Sequence, residues 1–139
     1  MTARRKTVET PRAEARLYLA KAKQFSAEAN AAMEGARNDA AMLNAVHAAI
    51  SAADAVCVAL ARRRSADPDH QRAADLLQEI GGRSRVLTAN VKQLRMLLAK
   101  KNMVEYESRR ASVKEASEAV KRADRLVDWA TETVEDAHL

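Results

Sequence analysis

Apolar residues recur along most of the chain at alternating steps of three and four, the spacing that places them on one face of an α-helix. The most sustained repeat follows Asn38 and includes Leu43, Val46, Ile50, Ala53, Cys57 and Leu60. A second long repeat runs to the carboxyl end through Val113, Ala116, Val120, Ala123, Val127, Ala130 and Val134. Both patterns predict long helices that pack against neighbouring helices.

Residues typical of helix ends divide this pattern further. Asp67 followed by Pro68 is typical of an N-cap and first turn, and Ser112 with Glu115 three residues later is typical of a capping box. Adjacent glycines at positions 81 and 82 predict a helix end. The resulting helices are predicted over residues 11–34, 38–64, 68–80, 85–101 and 112–139, with residues 102–107 as a connection.

The composition agrees with a helical chain. The 139 residues include 31 alanines but only three glycines, two prolines and 3% aromatic residues, which favours helices over strands and turns. We therefore predict an all-α fold, an up-and-down helical bundle of about five helices, one of them short. Residues 1–10 are expected to form a flexible basic tail, and residues 11–139 a single domain.

The net charge, the single cysteine and the apolar runs indicate the cellular setting. A net charge of +5 and a pI near 9.7 allow attraction to an acidic partner such as RNA, DNA or an acidic protein, without requiring one. Cys57 is the only cysteine, so no disulfide forms within the chain. The most apolar stretch, residues 45–61, contains His47 and Asp54 and is mostly alanine, which falls short of a membrane span. We expect a cytoplasmic protein with no membrane partner.

The available residues exclude or disfavour several kinds of site. Glycines at positions 35, 81 and 82 alone exclude a P-loop or a dinucleotide-binding loop. The three histidines are far apart, and neither His-x-x-x-His nor Cys-x-x-Cys occurs, so we expect no metal site and no cofactor. Cys57 lies on the apolar seam of the second helix and is expected to be a buried core residue. His47 is expected to be a hydrogen-bonded histidine of the core or of an interface.

The catalytic candidates are Arg64 and His70. A metal-independent ribonuclease requires a base that takes the 2′-OH proton and a cation that stabilises the charged phosphorane, and histidine and arginine are the usual residue types. Alternatively, Arg62, Arg63 and Arg64 form the solvated basic end of the second helix, where their charges complement the helix dipole. Both interpretations stay open at the level of sequence.

Candidate nucleic-acid-binding residues occur at predicted helix ends or connections and are Arg62, Arg63, Lys100, Lys101, Arg109 and Arg110. They would form a phosphate-binding rim if they gathered at one end of the bundle. The alternative is surface solvation and complementation of helix dipoles. No aromatic residues are interleaved with these basic pairs, which disfavours stacking of single-stranded nucleic acid.

The order and spacing of several short segments resemble a HEPN domain, a small helical-bundle family named for nucleotide binding in higher eukaryotes and prokaryotes. The segments are Tyr18-Leu19-Ala20, residues 44–50 and 54–57, Asp69-His70 with Leu76-Leu77, Leu97-Leu98 and residues 101–106. The last of them, Lys101-Asn102-Met103-Val104-Glu105-Tyr106, is similar to the Arg-Asn and Asp-Tyr signature that precedes the family's final helix.

This resemblance implies a dimer of helical bundles with a role near RNA or nucleotides, often in a toxin-antitoxin pair or in phage defence beside a nucleotidyltransferase. Active members resemble ribonucleases that place an Arg four to six residues before a His, with two copies meeting across the dimer. Arg64, followed by Ser65, and His70 satisfy that spacing. The family's pair usually lies near the final helix, where this chain has Lys101 and Tyr106.

Three functions are therefore predicted, in order of preference. The first is a dimeric HEPN-like module that binds RNA or a nucleotide, with a cognate nucleotidyltransferase-type partner, in a toxin-antitoxin or phage-defence system. The second is an active metal-independent endoribonuclease toxin that uses Arg64 and His70. The third is a non-catalytic helical module that recruits a partner helix.

Overall fold

The computed structural model describes residues 6–139, and most of these residues lie in five α-helices. The helices are α1 (Ala15–Glu34), α2 (Asn38–Ala61), α3 (Gln71–Gly81), α4 (Arg85–Tyr106) and α5 (Val113–Asp136). A short 3-10 turn, Arg12–Glu14, leads into α1. The all-α prediction is confirmed, and α3 is the short helix.

The central element is α2, which contacts each of the other four helices. Its buried positions are mostly alanines, whose small side chains let neighbouring helices approach closely. This helix is long and apolar enough to cross a membrane, contrary to our expectation for residues 45–61. However, 67% of its most apolar window is buried inside the protein, so the bundle core accounts for its apolar character.

The larger core side chains come mainly from the helices around α2. Those with almost no exposed surface include Leu76, Leu77, Leu94, Leu97 and Leu126, together with Met42 of α2. The stripe predicted for the last helix is buried from Ala116 to Val134, whereas Val113 is 64% exposed in the first turn of α5. Each of these leucines contributes far more apolar area to the core than an alanine.

A small antiparallel ribbon was not predicted from the sequence. Strand β1 (Thr7–Glu9) pairs with strand β2 (Arg63–Ser65), so that Val8 lies opposite Arg64. Helix α2 ends at Ala61 rather than near residue 64, because Arg62 takes the left-handed conformation at φ 57° and its carbonyl accepts a hydrogen bond from Thr10 N at 2.8 Å. Residues 1–5 of the predicted tail lie outside the described residues.

Helix α1 begins at Ala15 rather than at residue 11, because residues 12–14 form the 3-10 turn, and α5 ends at Asp136 rather than at residue 139. Two further helix boundaries differ from the predicted ones and shape the site described below. Helix α4 continues to Tyr106 through the predicted connection, because Met103 and Val104 pack against the core. Helix α3 begins at Gln71 rather than at residue 68. The Asp67 and Asp69 carboxylates accept hydrogen bonds from the backbone N–H groups two residues later, which holds residues 67–71 in consecutive turns.

The remaining local signals behave as predicted. Ser112 and Glu115 form a capping box at the start of α5, with both reciprocal hydrogen bonds at 3.1 Å. The glycines at 81 and 82 end α3, and Gly82 adopts φ 57°, a conformation that favours glycine. Helix α4 then starts behind the Ser84 side chain, which accepts a hydrogen bond from Leu87 N.

Candidate functional site

A cavity of about 300 Å³ lies where the start of α3 meets the last turns of α4. We call it the α3–α4 cavity, and it is lined by Pro68, Asp69, His70, Gln71, Leu98, Lys101, Asn102 and Tyr106. Two residues singled out from the sequence, His70 and Lys101, are therefore brought together here. Because α4 extends to Tyr106, one helix supplies a cation, an amide and an aromatic ring to the same cavity.

Polar contacts between α3 and α4 hold the two walls of the α3–α4 cavity in place. Arg95 donates to the Gln71 side chain at 3.1 Å and to the Asp75 carboxylate at 2.6 Å. The Gln71 amide donates in return to the Arg95 carbonyl oxygen. These bonds tie the first turn of α3 to α4, so the neighbouring His70 is positioned against α4 by a rigid support.

A charged cluster adjoins the cavity and links α4 to α2. Lys101 Nζ donates to Glu105 Oε2 at 2.5 Å, one helical turn away. The other carboxylate oxygen of Glu105 lies 4.0 Å from His47 Nε2. The His47 ring also packs against Phe25 of α1, with 5.5 Å between ring centroids. Glu105 thus lies between the lysine of the cavity and a histidine of the central helix.

The two histidines of this region are biased toward their neutral forms. Burial lowers the pKa of His47 and of His70, and the charge of Lys101 lowers both further. Glu105 opposes this shift at both rings. The Lys101 hydrogen bond in turn holds the pKa of Glu105 below its usual range, so the carboxylate stays ionised. At neutral pH the cavity therefore combines a neutral imidazole with an ammonium group.

Arg64, the other predicted catalytic residue, lies in different surroundings. Its guanidinium carbon is 5.7 Å from the centre of the Tyr18 ring, and its Nη1 donates to the Ser65 carbonyl. Its Nε is buried and has no hydrogen-bond partner among the described residues. Between residues 6 and 139, no hydrogen bond or ion pair joins Arg64 to His70. Arg64 thus packs beside the Tyr18 ring, whereas His70 lines the α3–α4 cavity.

Asp54 is a titratable residue to which the sequence analysis assigned no role. It is half-buried on α2, and burial raises its pKa to about 7 against the opposing attraction of Arg64 and Lys21. One turn later on α2, burial raises the pKa of the Cys57 thiol, which fits a core residue rather than a nucleophile. A lone carboxylate within an alanine-rich repeat was the available sequence signal for Asp54.

The predicted basic residues do not gather at one end of the bundle. Arg62 and Arg63 follow the C-terminal end of α2, whereas Arg110 lines a cavity with residues 36–40 at its N-terminal end. A helix of 24 residues separates these ends by about 36 Å. Lys100 and Arg109 both approach the Glu115 carboxylate, at 3.8 and 3.0 Å. Most of these cations are therefore separate or paired, and Lys101 is the one that lines the α3–α4 cavity.

The cavity combines an aromatic ring, an ammonium group, an imidazole, a carboxylate and two side-chain amides, from Tyr106, Lys101, His70, Asp69, Gln71 and Asn102. Within the described part of the chain, no group of three or more His, Cys, Asp or Glu side chains is arranged to hold a metal ion. Tyr106 is 76% exposed beside the cavity. An open aromatic face suits a base, Lys101 suits a phosphate, and the amides of Gln71 and Asn102 suit base or sugar edges. The aromatic residue missing from the basic pairs in sequence is thus supplied by the extended α4.

Comparison with known proteins identifies the same family that the short segments of the sequence resemble. The search of curated proteins finds no match for this chain. The model of one protein family, described as the HEPN domain, matches residues 15–134. This range runs from the start of α1 to the last turn of α5 and includes every residue of the α3–α4 cavity. The chain belongs to the HEPN domain family.

Proposed function

We propose that this protein binds a nucleotide or a single-stranded RNA segment in the α3–α4 cavity. The observation that carries the proposal is the placement of an exposed Tyr106 ring beside His70 and Lys101 in one cavity. Membership in a nucleotide-binding family of helical bundles supports the same assignment.

Each wall of the cavity has a separate task in this proposal. A base stacks on the Tyr106 ring, which is open to solvent and needs no rearrangement to accept it. Lys101 contacts a phosphate oxygen; its ammonium group has three N–H donors, and Glu105 uses only one of them. His70 and Asn102 donate to phosphate or sugar oxygens.

Fluorescence anisotropy with a short labelled single-stranded RNA, repeated with labelled ATP, tests this proposal. We expect Tyr106→Ala to weaken binding about tenfold, since one stacked base contributes ~1–3 kcal/mol. Tyr106→Phe should bind like the wild type because it keeps the ring. Lys101→Ala should weaken binding and reduce the slope against log salt by about 1.

The matched control is Lys121→Ala, which removes an exposed cation of α5 that does not line the cavity. This variant should leave the affinity within about twofold of the wild type. The proposal is rejected if neither RNA nor ATP binds. It is equally rejected if Tyr106→Ala and Lys121→Ala have the same effect.

A metal-independent endoribonuclease is the second candidate function, and the neutral His70 beside Lys101 favours it. In this reaction His70 takes the 2′-OH proton, the 2′-oxygen bonds to phosphorus, and the bond from phosphorus to the 5′-oxygen breaks as that oxygen takes a proton from solvent water. A cation stabilises the charged phosphorane. That cation is Lys101 of the same cavity, or Arg64, supplied by the second copy of the chain across the proposed dimer.

Incubation of cellular RNA with the protein and EDTA distinguishes cleavage from binding. Under the ribonuclease candidate, cleavage survives EDTA and is lost in His70→Ala. Loss in Arg64→Ala selects the predicted Arg64 and His70 pair, whereas loss in Lys101→Ala alone selects the cavity lysine. RNA that stays intact under conditions where it binds contradicts this candidate.

The proposal extends to the setting implied by family membership. The protein acts as a cytoplasmic homodimer, beside a nucleotidyltransferase-type partner, in a toxin-antitoxin or phage-defence pair. Light scattering across a range of protein concentrations tests the homodimer, and a monomer mass at every concentration contradicts it. Co-purification with the product of a neighbouring nucleotidyltransferase gene tests the second partner.

A further inference from the structure

Two apolar grooves lie along α4 and share no lining residue with the α3–α4 cavity. The groove toward α5 has a volume of about 290 Å³ and is lined by Met42, Leu97 and Ala119, among others. The groove toward α3 has a volume of about 430 Å³ and is lined by Thr88 and Val91, among others. We call the two grooves and the ridge between them the α4 apolar face.

Met96 and Ala99 form that ridge, because both residues line both grooves. Met96 is 41% exposed although it lies between two apolar surfaces. Its flexible, polarizable side chain is of the kind that adapts to a partner's shape. From Thr88 to Ala99 the face extends about 16 Å along α4, enough to contact roughly three turns of a docked helix.

The rim of the α4 apolar face carries more positive than negative charge. Its cations are Lys92, Arg95, Lys100 and Arg122, and its acidic residues are Glu115 and Glu118. Arg109, which lies outside the face, already binds Glu115 through two hydrogen bonds at 3.0 and 3.1 Å. No ion pair between residues 6 and 139 includes Lys92 or Arg122. Arg122 does donate a hydrogen bond to Gln93 Oε1, and Arg95 is bound to the Asp75 carboxylate. The net positive charge of the rim attracts a partner with acidic flanks, to which Lys92 and the remaining N–H groups of Arg122 can donate.

We propose that the α4 apolar face binds an acidic amphipathic helix of a partner protein, laid over Met96 with apolar side chains in the two grooves. Nucleic acid is disfavoured because the centre of the face is apolar and neither groove is lined by an aromatic ring on which a base could stack. The rim charge disfavours a second copy of the chain, because a two-fold contact would place the same cation-rich rim against itself. An acidic amphipathic helix would place its apolar side chains in the grooves and its carboxylates near the cations of the rim.

Selection from a displayed library of amphipathic helices tests the proposal on the full chain. Each library member has leucines at helical spacing, and its flanking positions vary among Glu, Gln, Ser and Lys. We expect the selected helices to be enriched in Glu. Their affinity should fall at least about tenfold for Met96→Glu, which places a polar and repulsive carboxylate on the ridge, and severalfold for Lys92→Gln.

The matched control is Val86→Glu, which introduces the same charge at a 62% exposed apolar position of α4 that lines neither groove. It should leave peptide affinity unchanged, and Met96→Ala separates lost apolar contact from added repulsion. Circular dichroism checks that each variant is folded. Selected helices without acidic enrichment, or with equal losses for Val86→Glu and Met96→Glu, overturn the proposal.

The same variants distinguish the other occupants of the face. If the wild type sediments as a dimer and Met96→Glu as a monomer, the occupant is a second copy and the acidic-helix proposal is wrong. If Met96→Glu abolishes RNA binding, the occupant is nucleic acid. This inference is independent of the proposed function, whose assay depends on Tyr106 and Lys101, because neither residue lines either groove.

Discussion

Glu105 Oε1 lies 4.0 Å from His47 Nε2, and this contact joins the last turns of α4 to the middle of α2. The same carboxylate accepts a hydrogen bond from Lys101, the cation of the α3–α4 cavity. Glu105 is therefore the counter-ion of Lys101, and its charge also opposes the lowering of the His47 pKa by burial. The charge in the cavity and the protonation of the central-helix histidine are coupled through one side chain.

This coupling predicts that removing the charge of Lys101 and removing the charge of Glu105 shift the pKa values of the two histidines in opposite directions. Lys101→Met should raise the pKa of both His47 and His70, because the lysine charge lowers both values. Glu105→Gln should lower both, because the carboxylate charge is what opposes burial. Histidine titration by NMR measures the two shifts. Lys100→Met, which removes a lysine paired with Glu115, should leave both values unchanged, and an equal shift in this control contradicts the coupling.

The raised pKa of Asp54 predicts that the free energy of unfolding depends on pH. Its folded-state pKa of about 7 lies above the unfolded value near 4, so the folded chain binds the proton more tightly. The resulting stabilisation is fully present below about pH 4 and is lost as the pH rises through 7. Between pH 5 and pH 8 the wild type should therefore lose roughly 2–4 kcal/mol of free energy of unfolding that the Asp54→Asn variant does not lose.

Urea unfolding of both proteins at pH 5 and pH 8 measures this difference. The control is Asp128→Asn, which removes an exposed carboxylate of α5. Its free energy of unfolding should stay parallel to that of the wild type across the pH range. An Asp54→Asn protein with the pH dependence of the wild type would show that Asp54 titrates normally.

The hydrogen bonds of Arg12 predict that substitution of this residue lowers the free energy of unfolding. Its Nε donates to the Ala59 carbonyl in the last turn of α2, and its Nη2 donates to the Ala137 carbonyl after α5. Arg12→Ala should lower the free energy of unfolding by about 1–3 kcal/mol, because two carbonyl groups lose their donor. Arg12→Lys should recover only part of this loss, since a lysine cannot reproduce the planar arrangement of donors.

Thermal unfolding measures the Arg12 effect, with Arg125→Ala as the control for loss of a positive charge. Arg125 is exposed on α5, so its substitution should change stability by less than about 0.5 kcal/mol. Equal losses in the two alanine variants would show that charge, rather than the two hydrogen bonds, accounts for the effect.

The surroundings of Gly81, at the junction of α3 and α4, leave no room for a larger side chain. A Cβ atom at this position would lie 2.2 Å from two methyl carbons of the buried Leu87 side chain. Gly81→Ala should therefore cost about 1–3 kcal/mol of stability through overpacking. At Gly35 the added Cβ meets only the far end of the flexible Arg37 side chain, so Gly35→Ala should cost much less. Urea unfolding of the two variants compares them, and equal stability contradicts the packing argument.

The local features of the fold were predictable because their signals lie within a few residues of each other. The capping box at Ser112 and the end of α3 at Gly82 depend on side chains and glycines adjacent to the helix termini. The apolar repeat of α2 predicted a helix packed on its neighbours for the same reason. Its burial on several sides depended on the four other helices and was not encoded in that segment alone.

The candidate site was predictable only in part. His70 and Lys101 were singled out separately, but their shared cavity depends on contacts between α3 and α4, such as the Arg95 bonds to Gln71 and Asp75. Tyr106 entered the cavity because α4 continues beyond Lys101, held by core packing that a sequence window does not contain.

By itself, the sequence determined the all-α class, the family and about half of the helix termini, since periodicity, caps and glycines act over short distances along the chain. Only the tertiary structure decided that Arg64 joins a strand with Val8 while His70, six residues later, turns toward α4. The partners that fix these two side chains are distant in sequence. Backbone pairing and burial, rather than spacing along the chain, therefore decide which charged groups can act together.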